Sequence, residues 1–212
     1  MGREATCRAR LGTPGSRTWS PSAQGKALLE TDDVIFRGPF RARVPLREIT
    51  SVVAKAGALT LAWPGGRLEL QLGSPAAEKW AESIRHPKSV LEKLGVKPGL
   101  RVARLGRFDG EFTADLTRAL GAKPATRAGK GCDLIFLALA RPGEESRLEP
   151  LVPAIAPNGA IWVIYPKGRR DLSEETVRTT AIASGLVDVK VVRFSETHGA
   201  LKLVIPIRAR RA

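Results

Sequence analysis

The chain has 212 residues, 43% of them apolar, with 35 Lys and Arg against 21 Asp and Glu and a formal net charge of +14. That apolar share excludes a disordered chain, and the basic excess makes nucleic acid, anionic membrane and acidic proteins the partner classes to weigh. No apolar run approaches the ~20 residues of a membrane-crossing helix, and Met1–Gly12 is polar and basic without the apolar core of a signal peptide, so the expected compartment is the cytoplasm.

The first half alternates with period two, the mark of half-buried strands. Ala5–Leu11 is the first predicted strand, and Gly12–Gln24, rich in Gly, Ser and Pro, is a loop. Lys26–Thr31, an Asp32-Asp33 turn and Val34–Arg37 follow. Phe40, Ala42, Val44 and Leu46 then alternate with Arg41, Arg43, Pro45 and Arg47, a strand with one basic face. After Ile49–Lys55, Leu59, Leu61 and Trp63 share one strand face. Pro64-Gly65-Gly66 turns the chain into a partner strand carrying Leu68, Leu70 and Leu72. Ser74 is the expected N-cap and Pro75 the first residue of a helix with Ala77, Trp80, Ala81 and Ile84 on its apolar face. About seven short strands closed by one helix is the order of a pleckstrin-homology-like barrel, with Trp80 anchoring the helix in its open end.

His86-Pro87 breaks that helix, and the predicted domains are 1–86 and 87–212. In the second, Lys88–Leu94 is helical with Val90, Leu91 and Leu94 on one face and Gly95 as a stop. Leu100–Leu105 is a strand. Phe112, Leu116 and Leu120 form an apolar row on a helix from Asp109 to Gly121. Cys132–Leu139 is apolar enough for a strand buried on both faces. Glu144–Ile155 is a helix made irregular by Pro150 and Pro153, Ile161–Tyr165 is another buried strand, and Ser173 caps a helix ending at Gly185. Val189–Phe194 and Leu201–Ile207 are predicted to form a hairpin around Glu196–Ala200, and Arg208–Arg211 is a solvated tail. The fold expected is therefore α+β in two domains: a small β-barrel with a C-terminal helix, then an α/β, Rossmann-like, mostly parallel sheet ending in an antiparallel hairpin.

Lys88–Gly106, with its Val-Lys-Pro-Gly-Leu-Arg-Val segment, resembles the entry to a class I S-adenosylmethionine-dependent methyltransferase, and the closing hairpin is similar to that fold too. Ala156–Asp171 and the Ala-Ser-Gly-Leu-Val that ends the next helix more specifically resemble an uncharacterised bacterial family, a domain of unknown function. The likeness spans roughly residues 88–208 and implies a degenerate methyltransferase-like fold with no established activity. The cofactor chemistry departs from the methyltransferase pattern. In Leu105-Gly106-Arg107-Phe108-Asp109-Gly110 two bulky side chains stand where a glycine turn would let backbone approach the cofactor. Ala122–Gly129 has Lys123 and Arg127 but no acid for the ribose, and the stretch from Gly121 to Cys132 is too short for a strand–helix–strand unit.

Other chemistry is sparse. Cys7 and Cys132 fall in different domains, so no disulfide framework is expected, and with His86 and His198 they make no metal-ligand spacing. His198, in a loop beside Glu196, has the makings of a proton-shuttling pair, but a solvated loop histidine is the commoner outcome. Neither a catalytic residue nor a cofactor is assigned. The best candidate site is Tyr165–Arg170: Lys167, Arg169 and Arg170 follow a strand and precede a helix, and Arg107 opens on the same sheet edge, a setting for a small anion. On the barrel, Trp19 in its polar loop and Arg41 and Arg43, with Arg37 and Arg47, are the interface candidates, the arginines for acidic lipid or a protein partner. The basic residues are otherwise scattered singly, which points away from nucleic acid, whose footprint is a cluster. The function expected is a non-catalytic binding or regulatory module with a small-anion site. The alternatives are a methyltransferase-like enzyme with an atypical cofactor pocket and a nucleic-acid-binding protein.

Overall fold

The computed structural model of the chain describes residues 3–16 and 18–210, so Arg211, the end of the expected tail, lies outside the described residues. The chain divides into two compact units, Met1–Pro87 and Lys88–Ala212.

The N-terminal unit contains β1 (Arg3–Gly12), β2 (Ala23–Leu29), β3 (Asp33–Arg37), β4 (Arg41–Pro45), β5 (Ser51–Lys55), β6 (Ala58–Trp63), β7 (Gly66–Gln71) and α1 (Ser74–Arg85). The strands form one antiparallel sheet in the order β4-β3-β2-β1-β7-β6-β5. Its alternation buries Val34, Phe36, Val44, Leu59, Leu61, Leu68 and Leu70 on one face, and Ala77, Trp80, Ala81 and Ile84 of α1 join the same core. Each large side chain removed from water there contributes roughly 1.5–3 kcal/mol before conformational entropy is subtracted.

Two expectations need correction here. The sheet is not a closed barrel: β4 and β5 are its two ends and do not pair. A 3-10 turn, Leu46–Glu48, separates them, and Pro45 at the end of β4 has no amide to offer a ladder. The edge at β5 is instead met by Arg85, whose Nη2 donates to the Val52 carbonyl at 2.8 Å. Nor is Ser74 the N-cap of α1. That position belongs to Gly73, in a backbone conformation with φ of 80°, and no side chain caps the helix. The amides of Leu72 and Gly73 both bond the Gly57 carbonyl, so the loop before the helix, rather than a serine hydroxyl, sets its entry.

The C-terminal unit contains α2 (Val90–Leu94), β8 (Val102–Leu105), α3 (Gly110–Leu120), β9 (Cys132–Ala138), a 3-10 run over Glu144–Ala154, β10 (Ile155–Pro166), α4 (Glu174–Ala183), β11 (Val187–Arg193) and β12 (His198–Val204). The sheet order is β11-β12-β10-β9-β8. β8, β9 and β10 are mutually parallel, while β12 is antiparallel to both β10 and β11 and so runs against the other four strands. Ile135, Leu137, Ile161, Val163, Leu201 and Leu203 face a core shared with the 3-10 run and α4. Phe136, Trp162 and Ile164 face the opposite core, with Leu94, Phe112 and Leu116. Helices on both faces explain why β9 and β10 read as apolar runs rather than alternating strands. The Trp162 indole, 1% exposed, donates to the Leu94 carbonyl at 2.8 Å and ties α2 to the sheet.

Several boundaries differ from the sequence reading. Residues 144–154 wind as a 3-10 run, because Pro150 and Pro153 remove the amides an α-helix needs there. α2 starts later than expected, at a capping box in which the Ser89 hydroxyl accepts from the Glu92 amide and the Glu92 carboxylate from the Ser89 amide. β12 begins at His198, so that histidine belongs to a strand; the turn is closed by the amides of Phe194 and Ser195 on the His198 carbonyl.

Candidate functional site

After β8 the chain passes through α3 to Ala125, which makes a single parallel bridge to Ala103 on the outer side of β8. The Ala125 amide bonds the Val102 carbonyl and the Arg104 amide bonds the Ala125 carbonyl, each at 2.8 Å. After β9 the chain turns the other way, to β10. The connections therefore diverge between β8 and β9, and a crevice at the carboxyl ends of diverging strands is where open α/β sheets bind ligands.

Gly106 lies at this point. Its φ of 92° is in the left-handed region, and a Cβ there would come within 2.5 Å of the Ala138 carbonyl oxygen. The turn after β8 is thus pressed against β9, and only glycine fits it. Beyond it the protein's own groups answer the backbone amides. The Asp109 carboxylate accepts from the Phe112 amide at 2.6 Å and caps α3. The Glu144 carboxylate accepts from the amides of Ala140 and Arg141 at 2.7 and 3.2 Å, and these bonds, the Ala140 one foremost, hold its carboxyl below the usual carboxylate range. Ser173 caps α4. An incoming anion would therefore be held by side chains rather than by helix-end amides.

The four residues expected to grip an anion are placed unevenly. Lys167 Nζ donates to the carbonyls of Ser195 and Glu196, at 2.7 and 3.3 Å. Arg169 pairs with Asp171 through two bonds, at 3.0 and 2.5 Å, and donates to the Ala140 carbonyl at 3.0 Å. The same pairing holds the Asp171 carboxyl below its ordinary range. Both cations staple the β10–α4 loop to its neighbours, Lys167 to the β11–β12 turn and Arg169 to the end of β9. Arg107 and Arg170 are exposed and make no ion pair among the described residues. Arg141, not singled out in the sequence, is exposed just after β9, as Arg107 is just after β8, and, after the Ala140 hydrogen bond, it helps to lower the Glu144 carboxyl.

Beside the loop lies a cavity of about 360 Å³, lined by Tyr165, Lys167, Arg169, Glu174, Arg193 and Gly199 among others. Tyr165, 5% exposed, donates its hydroxyl to Glu174 at 2.5 Å. Burial and, after it, this hydrogen bond push the phenol well above its ordinary value. Glu174 also pairs with Arg178, at 2.7 Å, and Arg178 with Asp188, at 3.1 Å. Gly199 makes room for the ring, since a Cβ there would stand 2.7 Å from the Tyr165 hydroxyl. His198 and Glu196 do not pair: Glu196 pairs with Arg193, and His198 Nδ1 lies 2.9 Å from the Thr197 hydroxyl. A second cavity, of about 520 Å³, lies between α2, α3 and the end of β11, with Phe112 and Phe194 in its wall and Asp109, Glu111, Asp115 and Arg118 among its lining.

In the N-terminal unit, Trp19 is half-buried beneath two guanidinium groups, Arg10 at 5.1 Å and Arg67 at 4.6 Å from the ring centroid. Arg43 pairs with Asp33 at 2.7 Å, whereas Arg41 is exposed without an ion pair among the described residues. Among the described residues no group of three His, Cys, Asp or Glu side chains is arranged to hold a metal ion, and no helix is long and apolar enough to cross a membrane.

No family model matches the chain, and no curated protein matches it. Among solved structures it is similar to a SAM dependent methyltransferase from Aquifex aeolicus, with 18% identity and a TM-score of 0.45 over 58% of this chain and 93% of that one. It is also similar to magnesium protoporphyrin IX methyltransferase from Synechocystis PCC 6803 with bound SAM, with 14% identity and a TM-score of 0.42 over 55% of this chain and 74% of that one. A third is a SAM-dependent O-methyltransferase from Thermotoga maritima, with 10% identity and a TM-score of 0.45 over 94% of this chain and 93% of that one. Likeness at this level assigns neither ligand nor reaction.

Proposed function

We propose that the Lys88–Ala212 unit is a methyltransferase-like α/β module that binds a small anionic molecule at the carboxyl ends of β8, β9 and β10. The observation that carries this reading is the divergence of the chain between β8 and β9, with the exposed Arg107 just after β8 and the exposed Arg141 just after β9. Paired guanidinium donors suit a carboxylate or a phosphate. Arg170 extends the same basic rim, while Lys167 and Arg169 act as staples that hold it. The strand order of the N-terminal unit followed by α1 supports a pleckstrin-homology-like, open arrangement serving association.

S-adenosylmethionine-dependent methyl transfer is the second reading, and Gly106 favours it: the turn after β8 keeps a left-handed glycine packed on the neighbouring strand. Against it, only one bridge stands outside β8, and that segment carries Lys123 and Arg127 with no acid to hold ribose hydroxyls. Calorimetric titration of the full chain with inorganic phosphate, pyrophosphate, citrate and S-adenosylmethionine tests both. The anion reading expects saturable binding of at least one anion, weakened at least tenfold in Arg107→Ala and Arg141→Ala. Anion binding unchanged in both variants sinks it. Saturable micromolar binding of S-adenosylmethionine, about 8 kcal/mol of interaction, would replace it with the enzyme reading.

A further inference from the structure

We propose that the outward face of β1–β4 in the N-terminal unit binds single-stranded nucleic acid. Strand register extends the basic face of Arg37, Arg41 and Arg43 to Lys26 on β2. Lys26 pairs with Arg37 across β2 and β3, and Arg37 with Arg41 across β3 and β4. Directly opposed residues of like charge destabilise a sheet, yet here three cations stand side by side on adjacent strands. Their inward neighbours Ala27, Phe36 and Val44 are buried, so the row faces away from the core. Arg8 belongs to the same face one strand further, between the buried Cys7 and Ala9, and Arg43 adds charge on β4.

Acidic side chains answer only part of this charge. Glu4 pairs with Lys26 at 2.5 Å and Asp33 with Arg43 at 2.7 Å. Arg8, Arg37 and Arg41 are exposed and make no ion pair among the described residues. At the β1–β7 side, Arg10, which Glu69 neutralises through two bonds at 2.7 and 3.0 Å, and Arg67 lie on the same face with their guanidinium groups over the Trp19 ring. The face therefore carries an unneutralised cationic track, Arg8, Arg37 and Arg41, for the phosphates of a single strand, with the half-buried Trp19 at its β1–β7 end. An anionic bilayer fits less well. Leu28 and Ile35 stand opposite one another on this face but are half-buried, and no large apolar side chain of β1–β4 is exposed to insert into lipid. The polar neighbours Thr6 and Gln24 suit contact with a sugar–phosphate chain.

The test measures fluorescence anisotropy of a labelled oligothymidylate with the full chain across a salt series. Binding should weaken with salt, with a log–log slope of about −0.7 for each phosphate neutralised. Arg41→Glu is the informative variant. It places a carboxylate opposite Arg37, so it should raise the melting temperature while lowering affinity at least tenfold. A purely structural row would show the first effect without the second. Lys123→Glu with Arg127→Glu, in the other unit, changes net charge at least as much and should leave affinity within about twofold. The proposal is overturned if the oligonucleotide does not bind at low salt, if both variants weaken it equally, or if Arg41→Glu leaves affinity unchanged. Tighter binding to phosphatidylserine vesicles than to the oligonucleotide, lost in Arg41→Glu, would overturn nucleic acid as the occupant.

Discussion

Removing the Tyr165 hydroxyl separates a hydrogen bond from a titration. Tyr165 is buried against Gly199 and donates to Glu174, which retains Arg178 as a partner when the hydroxyl is gone. A hydrogen bond to a charged group contributes about 1.5–3 kcal/mol, and a carboxylate that keeps a second partner belongs at the lower end, about 1.5 kcal/mol. Tyr165→Phe should therefore cost that much at neutral pH. The phenol is raised in the folded state, by burial first and by Glu174 second, while the unfolded chain ionises at about pH 10. A raised folded value means that the stabilisation is complete below the unfolded value and is lost as pH rises above it toward the folded one. The loss is at most about 1.4 kcal/mol per pH unit, so wild type and Tyr165→Phe should converge roughly one unit above pH 10. Comparing the two cancels the lysines that titrate in the same range. The chain has 1 tyrosine, so tyrosinate absorbance follows this group alone, and urea unfolding followed by circular dichroism over a pH series supplies the energies. Ionisation of Tyr165 at its ordinary value in the still-folded protein, or parallel stability curves for the two proteins above pH 10, would refute the reasoning.

Three further outcomes test the fold around the site. Gly106→Ala should destabilise the C-terminal unit by on the order of 2 kcal/mol, since its Cβ would meet the Ala138 carbonyl and its φ lies in the left-handed region; a denaturation midpoint at wild-type value would show that the turn relaxes freely. Trp162→Phe should cost about 1–3 kcal/mol by leaving the Leu94 carbonyl without its indole donor, and hydrogen exchange should quicken in α2 before the rest of the unit. Asp109→Ala should cost about 1 kcal/mol as a lost N-cap, and Asp109→Asn, which keeps a capping acceptor, should recover most of it.

The element types of this protein were legible because they depend on local rules. Period-two alternation placed the strands of the first half, and Phe112, Leu116 and Leu120 placed α3 between its Asp109 cap and Gly121 stop. Two buried apolar runs placed β9 and β10. Boundaries failed where the deciding contact is distant or of another kind: Gly57 sets the entry to α1, two prolines turn residues 144–154 into a 3-10 run, and the pairing of β12 with β10 extends it back to His198. The closed barrel failed for the same reason, since whether the ends of a sheet meet depends on how all its strands curve together. The site was half legible. Sequence placed Lys167, Arg169, Arg170 and Arg107 near one sheet edge, because residues after parallel strands share that edge. Only tertiary structure decided which charges are already spent, Lys167 on two carbonyls and Arg169 on Asp171, and which, like Arg107, make no ion pair among the described residues. The row of Lys26, Arg37 and Arg41 shows the same division most plainly. The basic face of Arg37 and Arg41 was legible from alternation, whereas strand register, set by the buried alternation of β2, β3 and β4, brings Lys26 beside them.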